Sequence, residues 1–551
     1  MPEAPTAYVD FAVATAPREH VYARYSCYFA LFLSLAFFAA LRFHFRNMPL
    51  ERDEGEYAYM GQLMLHGIAP YKIAYTMKLP GTCMTYAAMM AVFGQTAGGI
   101  RLGMIVVTTL CAILVFLLGK RLSGLLAGTV AGITYPFFAI RPGVLGMDGH
   151  ATHLVMLFAL AGILLMLRYM DNERTSLLLA SGLSFGLSFL MKQPGILFAV
   201  FAGSYWLWHA RKRGLRWRRI ALAGGVFSAG VVLPYMLTCL WLLRAGVFGT
   251  FWFWTWTYAR AYGSILSLRD SWDLCLRWTL PWAVRPFVLW EIALAGLAAP
   301  LWSRYARAYG GFVAGLFFTS LLAVSIGLYF RPHYFIMLLP ACALCIGIAV
   351  DCAHRELRRR NLRSLAFLPL LVFAIAFVAS VRGQWESYFR LAPAELSKKF
   401  CSNGQSCVDH VLVADFINAH ASPQDQIGIL GSEPEICFYT RLRCTSGYIY
   451  MYPLLERQPF AREMQADLTR TFERSRPRFI VYADNSWSWN WRPTYAENHD
   501  FMEWAWKFAH TGYELVDEVP VTDTGTETSA LHGNRATLYI FLRTNATSSA
   551  E

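Results

Sequence analysis

The sequence predicts a polytopic α-helical membrane protein with a hydrophilic α/β domain after its last span, and three observations predict it. The 551-residue chain is 56% hydrophobic and only 15% charged, whereas soluble domains carry about a quarter charged residues. Apolar runs suited to a hydrocarbon core about 30 Å thick recur as far as Arg382. Basic residues gather in short loops between those runs, the pattern that orients membrane helices. The net charge of +13 therefore reads as a topology signal, not as a nucleic-acid surface.

Eleven spans follow, at 26–45, 100–119, 122–140, 151–169, 176–191, 194–209, 220–243, 286–302, 309–330, 334–350 and 365–382. The fifth and sixth are short, and charge decides that they are two. With a break between them, Lys120-Arg121, RKRGLRWRR (211–219), SRYAR (303–307) and HRELRRRNLR (354–363) all fall on one side. Residues 1–25 then form a cytoplasmic segment. They run into the first span without a small-residue cleavage motif, so that span is expected to remain as an anchor. The membrane domain occupies 26–382, and the C-terminal region lies outside the inner membrane of a bacterial cell.

Residues 383–551 change composition and are numerous enough for a core of their own. Helices are expected at 408–420 and 459–475, and strands at 427–431, 479–483, 513–519 and 537–543, the alternation of a small α/β domain. Four of the twelve cysteines lie there. Local pairs, Cys401 with Cys407 and Cys437 with Cys444, fit an oxidising compartment; zinc binding lacks its usual C-x-x-C spacing. The other eight, in or beside spans, read as small buried hydrophobes. Asn545-Ala546-Thr547 matches a glycosylation sequon too short to carry weight.

The expected outer loops bring together an unusual set of polar residues. The first contributes Asp53, Glu54 and Glu56, with Lys72 and Lys78 further along; the second Asp148 and His150; the third Lys192 and Gln193; the fifth Arg331 and His333. Ionisable groups at a membrane boundary are costly unless they meet water or one another, and they often mark a site. Carboxylates supply a base or a metal seat, and Lys and Arg supply charge for a phosphate. Such a set suits a substrate built from an apolar chain, a phosphate and a sugar. Each residue also has a plainer reading. Asp53 with Glu56 has the spacing of a capping box, Asp148 can cap the span that follows it, Lys192 can snorkel, and Arg331 with His333 can anchor the interface. The Trp-rich FWFWTWTY (251–258) reads first as an interfacial aromatic belt and second as a carbohydrate platform.

DEGEYAYMGQ (53–62), KLPG (78–81), MKQPG (191–195) and FRPHYFIMLLP (330–340) together resemble bacterial glycosyltransferases of the GT-C fold. The likeness is to the family 39 and 83 type, relatives of protein O-mannosyltransferases and of the enzymes that add aminoarabinose to lipid A. It covers roughly residues 25–382. The resemblance implies sugar transfer, usually with inversion, from a polyprenyl-phosphate donor to an envelope glycan, lipid or protein at the outer membrane face. It matches Asp53 to the acidic position proposed as base, with Glu54 beside it, and Asp148 to a second acidic position. Lys78, Lys192, Arg331 and, more weakly, His333 become candidates for the donor phosphate, with Gln193 beside them. No nucleotide-binding glycine loop and no nucleic-acid signature is present. No organic cofactor is implied; a divalent ion between Asp53 and Asp148 would need more hard oxygen ligands than the sequence displays. The alternative is a transporter or flippase for a lipid-linked sugar, for which ionisable groups near mid-membrane and an inverted repeat are expected. Neither is visible.

Overall fold

The computed structural model describes residues 18–283, 287–400, 407–489, 499–521 and 536–544. The membrane part is built from helices α1 (Arg18–His44), α2 (Arg52–Leu65), α3 (Gly81–Phe93), α4 (Ala97–Leu122), α5 (Leu125–Phe138), α6 (Ala151–Asn172), α7 (Thr175–Met191), α8 (Ile196–Lys212) and α9 (Trp217–Arg244). The short α10 (Phe248–Trp252), a π-helical turn at Phe253–Tyr258, α11 (Ala259–Gly263) and α12 (Leu268–Ala283) follow. Helices α13 (Phe287–Leu297), α14 (Ala299–Trp302), α15 (Gly310–Ser325), α16 (Leu339–Arg359) and α17 (Leu368–Arg382) complete it.

The expected spans coincide with helices along the described chain, except that 286–302 divides between α13 and α14, and these helices are not alike in length. Among the described residues five are long and apolar enough to cross a membrane by themselves: Tyr22–His44, Ala97–Leu122, Ala151–Asn172, Trp217–Arg244 and Arg363–Arg382. The other six positions hold helices that are shorter or carry a polar end. The break between the fifth and sixth spans is present as a 3₁₀ turn, Gln193–Gly195, between α7 and α8. Its proline removes a backbone donor, and the extended backbone of Lys192 turns the chain there.

The C-terminal region adds α18 (Trp385–Phe389), α19 (Pro393–Phe400), α20 (Cys407–His420), β1 (Gln426–Leu430), α21 (Pro434–Thr440), β2 (Arg443–Cys444), α22 (Tyr452–Leu455), α23 (Ala461–Ser475), β3 (Phe479–Asp484), α24 (His499–His510), β4 (Tyr513–Pro520) and β5 (Thr537–Arg543). Its sheet runs β2-β1-β3-β5-β4. Strands β1, β2 and β3 are parallel, and β5 pairs antiparallel with both β3 and β4. Cys437 and Cys444 form a disulfide with Cα atoms 6.0 Å apart. Cys401 and the Asn545 sequon lie outside the described residues.

This region does not stand apart from the membrane part. One hydrophobic cluster joins Tyr57, Tyr59 and Met60 of α2 and Tyr86 of α3 to Ile427, Ile436, Cys437, Phe438 and Val481 of the sheet and its helices. Gly55 makes the contact close: a Cβ there would lie 2.5 Å from Cβ of Glu435, so α2 and α21 pack almost backbone to backbone.

Candidate active site

Helix α2 begins two residues earlier than the sequence suggests, and this changes the role of its acidic run. Its N-cap is Glu51, whose side chain accepts from the backbone N–H of Asp53 at 2.9 Å. The reciprocal bond comes from Glu54, which accepts from Glu51 N–H at 3.1 Å. The capping box is therefore Glu51 with Glu54, not Asp53 with Glu56. Capping needs neither of the latter, and both line the cavity described below.

Glu54 is fully buried and ion-paired to Arg101 of α4, with a 2.7 Å contact from Nη2 to Oε2, and it also accepts from the Gly149 backbone N–H. Arg101 reaches Asp148 at 3.4 Å. Burial and the nearby Glu54 push the Asp148 carboxyl up to about 8, against the pull of Arg101 and Arg42. Asp148 does not cap α6, whose N-cap is His150 without a side-chain bond. Glu54 and Asp148 thus form a buried polar layer with Arg101 beneath the cavity, and neither is among its lining residues. A cation between Asp53 and Asp148 is not favoured, because Asp148 already faces a guanidinium.

Asp53 sits above that layer. Its Oδ1 accepts from Lys78 Nζ at 2.8 Å and from the Tyr450 hydroxyl at 2.9 Å. Its Oδ2 faces His150 Nδ1 and His333 Nε2, each 3.9 Å away. Lys78 also donates to Glu56 at 2.5 Å and lies 4.5 Å from the Tyr57 ring centroid. Burial opposes the charge on Asp53, but the Lys78 ammonium bonded to it outweighs burial and holds its carboxyl well below the ordinary range. The histidine rings stack at 4.0 Å, and burial pushes the His150 imidazole down to about 3, so it is neutral. Asp53, His150 and His333 offer ligand atoms within 4.8 Å of one another. Both His150 ring nitrogens lack a hydrogen-bond partner among the described residues. Two imidazoles and one carboxylate are a donor set for a first-row transition ion rather than magnesium.

A cavity of about 1030 Å³ opens above Asp53, Glu56 and Lys78. Lys192, Gln193, Arg331 and His333 line it too, so the third and fifth loops converge with the first. Gln193 donates to the Met77 carbonyl at 3.1 Å, tying the third loop to the first. Lys192 lies 3.7 Å from the Tyr334 ring centroid. Burial, with Lys78 and Arg331 adding to it and Asp53 opposing, lowers its ammonium to about 7. Among the described ion pairs neither Lys192 nor Arg331 has a carboxylate partner. Leu328 and Phe330, just before Arg331, hold left-handed backbone at φ 62 and 44. Such conformations cost about 1–3 kcal/mol each in bulky residues and concentrate at functional sites. Lys72 is exposed and stands outside the cavity.

The Trp-rich stretch divides. Trp252 and Trp256 are exposed, at 48% and 38%, whereas Trp254 is buried and stacks on Tyr75 with centroids 5.6 Å apart. The π-helical turn alters the helical phase, which sends Trp254 and Tyr258 inward. Sequence reasoning did not single out Glu51, Arg101 or Tyr450. Arg101 carried a readable signal, a lone charge at the start of an apolar run. Tyr450 carried none, because its role depends on where the C-terminal sheet docks.

The family model for dolichyl-phosphate-mannose-protein mannosyltransferase matches residues 80–238. The chain is 26% identical over 339 residues to undecaprenyl phosphate-alpha-4-amino-4-deoxy-L-arabinose arabinosyl transferase 2 of Pseudomonas fluorescens. It is 27% identical over 349 residues to the corresponding arabinosyl transferase of Pseudomonas aeruginosa. Both matches take in 59% of this chain, and they span 57% and 61% of those relatives. The crystal structure of ArnT from Cupriavidus metallidurans bound to undecaprenyl phosphate superposes with a TM-score of 0.58 at 17% identity, over 92% of this chain and 97% of that one. The fold, apolar helices and C-terminal α/β region together, is shared with ArnT.

Proposed function

We propose that the protein is a membrane glycosyltransferase that moves a sugar from a polyprenyl-phosphate donor to an envelope acceptor at the outer face of the inner membrane. The observation that carries this reading is the cavity itself. An ionised carboxylate, Asp53, stands on one side, and two basic side chains that have no carboxylate partner among the described residues, Lys192 and Arg331, stand elsewhere on its wall. A phosphate sugar needs that pairing of a proton acceptor with an anion seat. The ArnT-like fold and the arabinosyl transferase relatives support the same class, and the relatives' undecaprenyl-phosphate donor supports a lipid carrier here.

The chemistry is a direct displacement. An acceptor hydroxyl attacks the anomeric carbon as the bond from that carbon to the lipid phosphate breaks, and Asp53 takes the hydroxyl proton. The leaving phosphate needs charge stabilisation rather than a strong acid, and Lys78, Lys192 and Arg331 supply it. Glu54, Arg101 and Asp148 hold the floor on which Asp53 sits. Were a transition ion bound, Asp53, His150 and His333 would hold it, and it would supply positive charge to the site.

The proposed arrangement has eleven crossings, a cytoplasmic N-terminus and an outer domain on the extracytoplasmic side, as the basic loops require. A flippase is the weaker reading because the charges gather at the outer ends of the helices. Proteoliposomes holding the purified protein and an undecaprenyl-phosphate sugar should release undecaprenyl phosphate when an envelope acceptor fraction is added. Movement of the intact donor across the bilayer without cleavage would instead support the flippase.

A further inference from the structure

Within the proposed transferase reading, we infer that the outer domain completes the active site, and that its Tyr450 is a positioning residue for the Asp53 carboxylate. The segment between the disulfide and α22 runs from Cys444 to Tyr452 across the rim of the cavity, and Tyr448, Tyr450 and Tyr452 all line it. Tyr450 donates its hydroxyl to Asp53 Oδ1 at 2.9 Å. That oxygen also receives the Lys78 bond, so two donors fix one carboxylate oxygen and leave Oδ2 turned toward the histidine pair. A base of this kind works only when the accepting oxygen is aimed, and aim comes from the groups that hold the other oxygen.

The strap that carries Tyr450 is clamped on both sides. At its start, the Cys444 backbone N–H donates to the Tyr59 hydroxyl at 2.9 Å. In its middle, the Tyr75 N–H donates to the Gly447 carbonyl at 2.7 Å, and a Cβ on Gly447 would meet the Tyr75 ring at 2.5 Å. At its end, Arg52 donates to the Tyr452 hydroxyl at 2.5 Å and pairs with Glu433 at 3.2 Å. Arg52 is the residue next to Asp53. The chain segment bearing the base and the strap bearing Tyr450 are therefore tied together at neighbouring positions.

The test uses the full-length protein in proteoliposomes, with Tyr450→Phe and with 3-fluorotyrosine introduced at position 450. Phenylalanine keeps the ring and removes the donor; fluorotyrosine keeps both. Tyr450→Phe should lower kcat about ten- to a hundred-fold, the usual worth of one hydrogen bond to a charged group, with the donor KM and the melting temperature unchanged. The fluorotyrosine protein should turn over near the parental rate. Parental kcat in Tyr450→Phe overturns the inference, as does a loss shared by kcat, KM and melting temperature, which assigns the tyrosine to packing. Asp53→Asn measured alongside separates the two claims. If it is inactive while Tyr450→Phe is normal, the transferase reading stands and the positioning role falls. If it is fully active, the reading beneath both falls.

Discussion

Lys78 Nζ lies 2.8 Å from Asp53 Oδ1 and bridges from there to Glu56 Oε2 at 2.5 Å. One ammonium thus holds two carboxylates from the same helix, and it is the chief reason that Asp53 stays ionised despite its burial. The sign follows. A carboxyl lowered in the folded protein keeps its charge as pH falls past the ordinary carboxylate range, and loses it only below.

Removing Lys78 should therefore expose the acid limb of the reaction. The parental enzyme should show no loss from Asp53 protonation down to about pH 4. In Lys78→Met, burial acts without its counterweight, and the acid limb of kcat should rise above that pH. A pH–rate profile of the two purified proteins checks this, and identical limbs would deny Lys78 its hold on Asp53.

Lys192 carries a second pH dependence with the opposite sense. Its ammonium is lowered to about 7, so it gains a proton as pH falls through neutrality. The donor phosphate should then bind more tightly at pH 6 than at pH 8.5, by up to about ten-fold for one charge-assisted contact. Titration of an undecaprenyl-phosphate sugar, a diester whose charge is fixed across this range, at the two pH values should show that difference, and Lys192→Met should abolish it.

Glu54 should behave as a structural residue. Glu54→Gln leaves Arg101 buried without its full partner, and breaking a buried pair costs about 3–5 kcal/mol. Thermal unfolding in detergent should reveal a large loss of stability. A protein that melts normally but transfers no sugar would move Glu54 into the chemistry instead.

Much of the architecture was legible in the sequence, and the parts that were not share a cause. Length and hydropathy locate the helices, and the basic loops resolve 176–209 into two of them, because these are local properties of the chain. The convergence of Asp53, Lys78, Lys192, Gln193, Arg331 and His333 on one cavity follows from loop order and helix ends. Spacing alone fails at the capping box: Glu51/Glu54 and Asp53/Glu56 are equally spaced, and only the start of the backbone turn decides between them. It fails again at Asp148, where a distant Arg101 draws the carboxylate below the cavity floor. Tyr450 and the shared core between α2 and α21 depend on docking between segments nearly 400 residues apart, which no local pattern encodes.

The central claim is that Asp53 serves the reaction and not the helix. The cap is Glu51, so Asp53→Asn leaves the start of α2 intact while removing the proton-accepting carboxylate. The direct measurement is single-turnover sugar transfer by purified Asp53→Asn protein in liposomes, with Glu56→Gln as the companion that shares Lys78. Transfer by Asp53→Asn should fall by about two to four orders of magnitude, the worth of a positioned base, with a parental melting temperature, while Glu56→Gln falls much less. Transfer by Asp53→Asn at the parental rate would contradict the account.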